Sequence, residues 1–352
     1  MQRDLKADVT RVSRNVIFRL IAVFLAMCAV TGGIYLIRSH SIANSDYPSG
    51  NPGIEIIVDI PQGATGSAIA KILYSKSVVK SYAVFFSLAV ADPRSSAIAP
   101  GAHRLNQHIS AMEALVQLLD SKRITNLIRI TEGAWTDEIL LLMEKAGFSK
   151  SELMNALNQI RRPNGFNGNE GIFFPAQYSF GAASSAIAAL QSMVDRFALE
   201  AKASGIDQGG DGFTPMQLLT IASIVQAEGD TKDFAKISQV IRNRLKTGMR
   251  LQLDTTVHYV TRTRGHVFLS TEATQTISPY NTYLHYGLPP GPIGNAGRAA
   301  MDAALHPTFG NWIYFITVKP GDTRFTESNS QFLIWKSEYQ KNLAAGAFGK
   351  TS

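Results

Sequence analysis

The sequence predicts an α+β protein carried behind a membrane-spanning helix. Three observations predict it. A charge-free run, Leu20 to Ile37, is bounded by Arg19 and Arg38. Two segments, beginning near Ile54 and Ile128, share a pattern of strand, glycine turn and helix. An apolar-periodic helix from Thr214 to Glu228 is followed by a second that stops at Gly248. With 352 residues, 45% hydrophobic and 17% charged, the chain can build an anchor and more than one core.

Residues 1–19 are polar, with Arg3, Lys6, Arg11, Arg14 and Arg19 against Asp4 and Asp8. As a helix, Leu20 to Ile37 would span about 27 Å, near the thickness of a bilayer's hydrocarbon core. The basic excess precedes the run, which predicts a cytoplasmic N-terminus and an exported remainder. A cleaved signal peptide is the competing reading. The run is longer than an ordinary signal core, and the RSHSIANS that follows is a poor cleavage site. The only cysteine, Cys28, lies inside the run, so the rest of the chain can form no disulfide.

After a Ser/Asn/Pro/Gly linker from His40 to Gly53, Ile54 to Ile60 alternates as a strand. Pro61-Gln62-Gly63 then turns into a helix around Ile69 to Leu73, and another helix follows near Tyr82 to Val90. Ser110 begins a helix to Leu119, with Glu113 as its capping-box partner. Val58 to Ala64 (VDIPQGA) is echoed by Ile128 to Ala134 (IRITEGA), and Ile69 by Ile139. Two such units could pair their strands and bury one helical face.

Gly171 to Pro175, an aromatic turn, reads as core packing. Ala182 to Ala203 is helical, and Met249 to Val257 reads as extended. Ala299 to Leu305 is a short helix, Trp312 to Thr317 a β-prone run, and Gln331 to Ala344 a closing helix.

Thr214 followed by Pro215 is a helix start, a capping hydroxyl and then a proline at the first helical position. Leu218, Ile221, Ala222 and Val225 define a buried face, and Glu228 falls on it just before Gly229. Asp230 can cap the next helix, whose inward stripe is Phe234, Ile237, Ile241 and Leu245. Pattern alone leaves Glu228 two roles. It is a last-turn carboxylate reaching solvent, or a desolvated acid whose raised pKa suits general-acid work near neutrality. A polar cluster (Gln252, Asp254, Thr256) and a proline- and glycine-held loop carrying Tyr280, Asn281, Thr282 and Tyr283 could serve a carbohydrate, since Tyr and Asn combine flat faces with hydrogen-bonding groups. An ordinary surface turn is the competing reading of that loop.

No metal site is expected, because the seven histidines are scattered without ligand spacing. No cofactor is expected: there is no phosphate-binding glycine loop, and no serine sits in a nucleophile elbow. The net charge of +7 lacks the aromatic interleaving of a nucleic-acid stripe and fits an anionic membrane or wall polymer equally well.

From Ile221 onward the chain resembles the MltG (YceG-like) family of endolytic murein transglycosylases. The residues that carry the resemblance are ASIVQAE (Ala222 to Glu228), VIRNRLKTGMRLQLD (Val240 to Asp254), YNTY (Tyr280 to Tyr283), GLPPGPI (Gly287 to Ile293), His306-Pro307 and Tyr314-Phe315, with EGIFFPAQY (Glu170 to Tyr178) upstream. The resemblance implies a cytoplasmic tail over 1–19, a transmembrane helix over 20–37, a linker over 38–53, a LysM-like module over 54–124 and a YceG-like α+β catalytic domain over 125–345. It implies single-pass anchoring in the plasma (inner) membrane with the catalytic domain extracytoplasmic, glycan strands of peptidoglycan as substrate, and peptidoglycan synthases as partners. The implied reaction is lytic cleavage of MurNAc–GlcNAc bonds to 1,6-anhydro ends, with Glu228 as general acid and base. Gln252, Asp254, Thr256, Tyr280, Asn281 and Tyr283 are implied as substrate-binding. The chain departs from the family pattern at Gln226 (an acid there), Thr255 (a proline), Ala176 (an aspartate), and Thr323 and Phe332 (histidines). These departures leave a second reading, a glycan-binding or division-scaffold protein of the same fold with weakened catalysis.

Overall fold

The computed structural model describes residues 24–25, 27–32, 46–61, 63–125, 127–180, 184–264 and 269–348. The expected tail over 1–19 and most of the expected span over 20–37 lie outside them. Residues 24–25 and 27–32 are helical and exposed. Among the described residues no helix is long and apolar enough to cross a membrane. The chain divides into two compact units, the first ending at Thr125 and the second beginning at Asn126.

The first unit pairs β1 (Glu55–Ile60) with β2 (Gly101–Asn106) as an antiparallel ribbon, Glu55 opposite Asn106 and Ile60 opposite Gly101. Val58 and Ile60 face inward by strand alternation and meet α1 (Gly66–Ser75), α2 (Tyr82–Ala91) and α3 (Ala111–Leu119). Ile69, Leu73, Phe85, Leu105 and Leu115 complete the core. Thr65, Ser81 and Ser110 cap the three helices, and Ser110 and Glu113 form the expected capping box.

The echo between the two strand–turn–helix segments holds locally but not in pairing. Gly63 and Gly133 both adopt positive φ (72° and 76°), the left-handed turn that glycine takes without a Cβ clash. Their strands do not pair with one another. β1 takes β2, whereas β3 (Leu127–Arg129) takes β4 (Gln177–Ser179) in the second unit. Each strand is satisfied by a partner inside its own unit, so the shared pattern reports a shared turn and not a shared sheet.

The second unit is mostly helical: α4 (Thr136–Lys145), α5 (Lys150–Gln159), α6 (Ala186–Ser204), α7 (Pro215–Glu228), α8 (Phe234–Lys246), α9 (Asp254–Thr261), α10 (Arg298–Leu305) and α11 (Asn329–Ala344), with a hairpin β5 (Tyr314–Lys319)–β6 (Asp322–Thr326). The α+β class therefore stands. α5 opens on a Ser149–Glu152 capping box that the sequence displays plainly.

α7 begins as predicted, with Thr214 and Gln217 forming a capping box and Pro215 at the first position. It differs from the prediction in its faces. All eight residues from Leu218 to Val225 are buried, because α8, α9 and α10 pack around it. Thr220 and Ser223 survive in this setting by returning their hydroxyls to the carbonyls of Met216 and Thr220, each at 2.8 Å. α10 is rich in alanine (Ala300, Ala303, Ala304), which brings it close to α7.

The stretch expected to be extended, Met249 to Val257, becomes helical from Asp254. Its β-branched Thr255-Thr256-Val257 reads as strand by propensity, but context overrides it. Gln252 takes a positive φ of 47° and breaks the preceding extension. Asp254 then supplies a carboxylate to the first turn, and Thr256 Oγ1 donates to Leu253 O at 2.7 Å.

Candidate active site

Glu228 is the last residue of α7 and is part-buried. Gly229, its C-cap, is extended, and a Cβ there would run into the Ile237 side chain of α8. Glycine thus lets the chain pass close to α8 while the Glu228 carboxyl reaches α9. There Thr255 Oγ1 donates to Glu228 Oε1 at 2.5 Å. Burial pushes the Glu228 carboxyl up to about 7. The Thr255 hydrogen bond opposes that rise, neighbouring Asp254 adds to it and Arg244 counters it.

Arg244 projects from α8 and is buried. Its guanidinium donates to Ile313 O at 2.7 Å and to Leu251 O. Burial works against its charge, and Glu228 supports that charge. Asp254, first residue of α9, accepts from the Tyr283 hydroxyl. The Tyr283 phenol is pushed above its ordinary range by burial and by this carboxylate.

Of the predicted site residues, the structure groups Glu228, Asp254 and Tyr283, and adds Thr255 and Arg244. Gln252 is exposed, and its backbone N–H donates to Thr282 O at 3.1 Å. Thr256 and Asn281 are fully buried and occupied internally. Thr256 Oγ1 lies 3.0 Å from Thr282 Oγ1. Asn281 Nδ2 donates to Thr274 O (3.0 Å) and Thr276 O (2.8 Å), while its Oδ1 accepts from Tyr283 N (2.9 Å). The polar atoms of these two hold the loop that presents Tyr283. Tyr280 lies apart, tilted against Tyr259 at 5.1 Å between ring centroids.

A cleft of about 270 Å³ adjoins Glu228. Glu132, Trp135, Gln226, Thr255, His258 and Arg264 are among the residues that line it. Glu228 itself does not, but its chain neighbour Ala227 and its donor Thr255 do. Gln226 ties the wall together, accepting from Gly297 N at 3.0 Å and reaching Glu132 Oε2 at 3.5 Å. Arg264 lies over the Trp135 ring, 3.9 Å from its centroid, and pairs with Glu138 at 2.5 Å.

A second perturbed acid, Glu170, meets the first residue of α4. Burial pushes it up to about 6 against hydrogen bonds from Tyr259 and Thr136. Its oxygens accept from Thr136 N and Oγ1 and Tyr259 Oη, each at 3.1 Å, and Asn295 Nδ2 at 3.3 Å. Its partners occupy it as a junction between α4, α9 and the 293–297 segment. The sequence offers a signal for Arg244, a charge in the Ile237/Ile241 stripe, but none for the cleft walls, which meet across long separations.

At the departures from the family pattern the structure places neutral contacts. Thr323 Oγ1 meets Thr317 Oγ1 at 3.0 Å, Phe332 stacks on Tyr314 at 5.2 Å, and Ala176 packs against the core. Among the described residues no group of three or more His, Cys, Asp or Glu side chains could hold a metal ion.

A sequence model of the YceG-like family matches residues 58–337. The chain belongs to the YceG-like family. A Bacillus subtilis protein named endolytic murein transglycosylase is 31% identical over 305 residues, covering 80% of this chain and 84% of that one. A Streptococcus pneumoniae protein of the same name is 30% identical over 184 residues, covering 50% of this chain and 32% of its own length. The crystal structure of a yceG-like protein from Listeria monocytogenes superimposes with a TM-score of 0.53 at 25% identity, covering 79% of this chain and 97% of that one. The YceG-like match spans both compact units, and Glu228, its cleft and the 280–283 loop all fall within it.

Proposed function

We propose that this YceG-like chain is an endolytic peptidoglycan lytic transglycosylase with Glu228 as its general acid and base. The observation that carries the reading is the Glu228 carboxyl itself, held at the end of a buried helix beside a cleft and pushed up to about 7 by burial. A carboxyl with that proton affinity is populated in both forms near neutrality, as a group that must give and then take a proton requires. Glu228 protonates the glycosidic oxygen between MurNAc and GlcNAc as the C1–O bond breaks. The MurNAc C6 hydroxyl then closes onto C1 and passes its proton to the Glu228 carboxylate, which regenerates the acid and leaves a 1,6-anhydro end. The nucleophile belongs to the substrate, so one carboxylate serves both steps, unlike the two-carboxylate scheme of ordinary glycosidases. Arg244 favours the carboxylate that forms midway, and Asp254, tied to Tyr283, supports positive charge near C1. Gln252 and Tyr280 contribute to holding the glycan.

In this reading residues 20–37 anchor the chain in the plasma membrane, the first compact unit is a LysM-like glycan-binding module, and the second acts on strands leaving the synthases. The neutral residues Ala176, Thr323 and Phe332 favour one rival, a glycan-binding scaffold without turnover. Incubating the full-length chain with glycan strands and weighing the products decides between them. Anhydro-ended fragments are expected, and Glu228→Gln should abolish them with an unchanged circular-dichroism spectrum. Ordinary reducing ends would make it a hydrolase, and retained binding without cleavage would leave the scaffold.

A further inference from the structure

We propose that Thr255 is a positioning residue that holds the Glu228 carboxyl in place at the edge of the cleft through its side-chain hydroxyl. The inference rests on Glu228 being the reacting acid. Thr255 is the second residue of α9, and first-turn N–H groups of a helix lack helical acceptors. Its hydroxyl donates to Glu228 Oε1 at 2.5 Å, and its backbone N–H also favours the Glu228 carboxylate. Among the described residues no other side chain hydrogen-bonds the Glu228 carboxyl. Thr255 also lines the cleft that Glu228 does not, so it connects the carboxyl to the space a ligand would fill.

A proline at this position could supply neither donor. The other charged and titratable groups facing Glu228 are Asp254, Arg244 and Tyr283. Asp254 on α9 opposes ionisation, Arg244 on α8 favours it, and Tyr283 on the 280–283 loop is bound to Asp254. None of them takes the Thr255 hydrogen bond, so the effect of removing it is separable.

A donor withdrawn from a carboxylate raises its pKa. A general acid must start protonated, so the high-pH limb of kcat/KM should move upward. Thr255→Val removes the hydroxyl and keeps the N–H, whereas Thr255→Pro removes both. The full-length chain and the Val, Pro and Ser variants should be assayed on glycan strands from pH 5 to pH 9. The limb is expected to rise by roughly half a unit for Val, about one unit for Pro, and to stay in place for Ser. A limb that stays put in both Val and Pro overturns the proposal, even if turnover drops, because a purely structural role lowers amplitude without moving the limb. Should Val fail to fold by thermal melting, Pro and Ser still decide the matter. Undiminished turnover in Glu228→Gln would instead remove the acid itself, an outcome distinct from an unmoved limb.

Discussion

Glu228 is held against its own ionisation, and this has a thermodynamic signature. Its carboxyl titrates near the ordinary 4.5 when unfolded and at about 7 when folded. The native state therefore binds this proton more tightly, and stability from the group falls as pH rises from about 4.5 to about 7. Glu228→Gln should exceed the wild type in denaturant stability at pH 8 by on the order of 2 kcal/mol and lose that advantage near pH 5. Equal stability at both values would contradict the burial cause. The slope remaining in the variant should fall between about 4.5 and 6, where Glu170 acts in the same sense. Glu228 is legible in the sequence because an acid on an apolar stripe stands out, and Arg244 is legible by the same logic. Thr256 and Asn281 are legible as polar but not as buried, since Asn281 is satisfied by the carbonyls of Thr274 and Thr276 and Thr256 by Leu253 and Thr282.

At the scale of elements, helix starts were the most readable feature. Ser110 with Glu113 and Thr214 with Pro215 satisfy local donors, and local chemistry is what a sequence displays. α9 was not readable, because its β-branched start becomes helical only with the left-handed Gln252 before it and the 280–283 loop beside it. The pairing of β3 with β4 was hidden for the same reason, a contact across a long chain separation. The turn from α7 to α8 allows a sharper test. Gly229→Ala should cost about 1–3 kcal/mol by forcing Ile237 aside, and should reduce cleavage by shifting Glu228. Ile237→Val removes the atom that a Cβ would strike. The double variant should therefore lose less stability than the two singles together, measured by chemical denaturation as a double-mutant cycle. Strict additivity would show that Ile237 is not the obstacle.

At the scale of the whole molecule, the described residues form two separate hydrophobic cores, one around Leu73, Phe85 and Leu115 and one around α7. A fragment covering 46–125 should unfold cooperatively on its own by circular dichroism, since its strands, caps and core are all internal. A broad, non-cooperative melt would show that the first unit depends on the second. The mixed class was legible from alternation and helical periodicity, whereas the strand pairings were not, because both echo strands are short and locally alike.

The burial of Leu218 to Val225 in α7 bears on how this protein could be inhibited and how it could escape. A ligand anchored on the Glu228 carboxyl would meet a target whose backbone has no slack, since moving it means repacking Leu218 to Val225. Substitutions along that helix that would deform the site also open cavities costing about 2–5 kcal/mol. Escape variants should therefore arise in the cleft walls outside α7, at positions such as Glu132 and Arg264, where a side chain can change without unseating the helix.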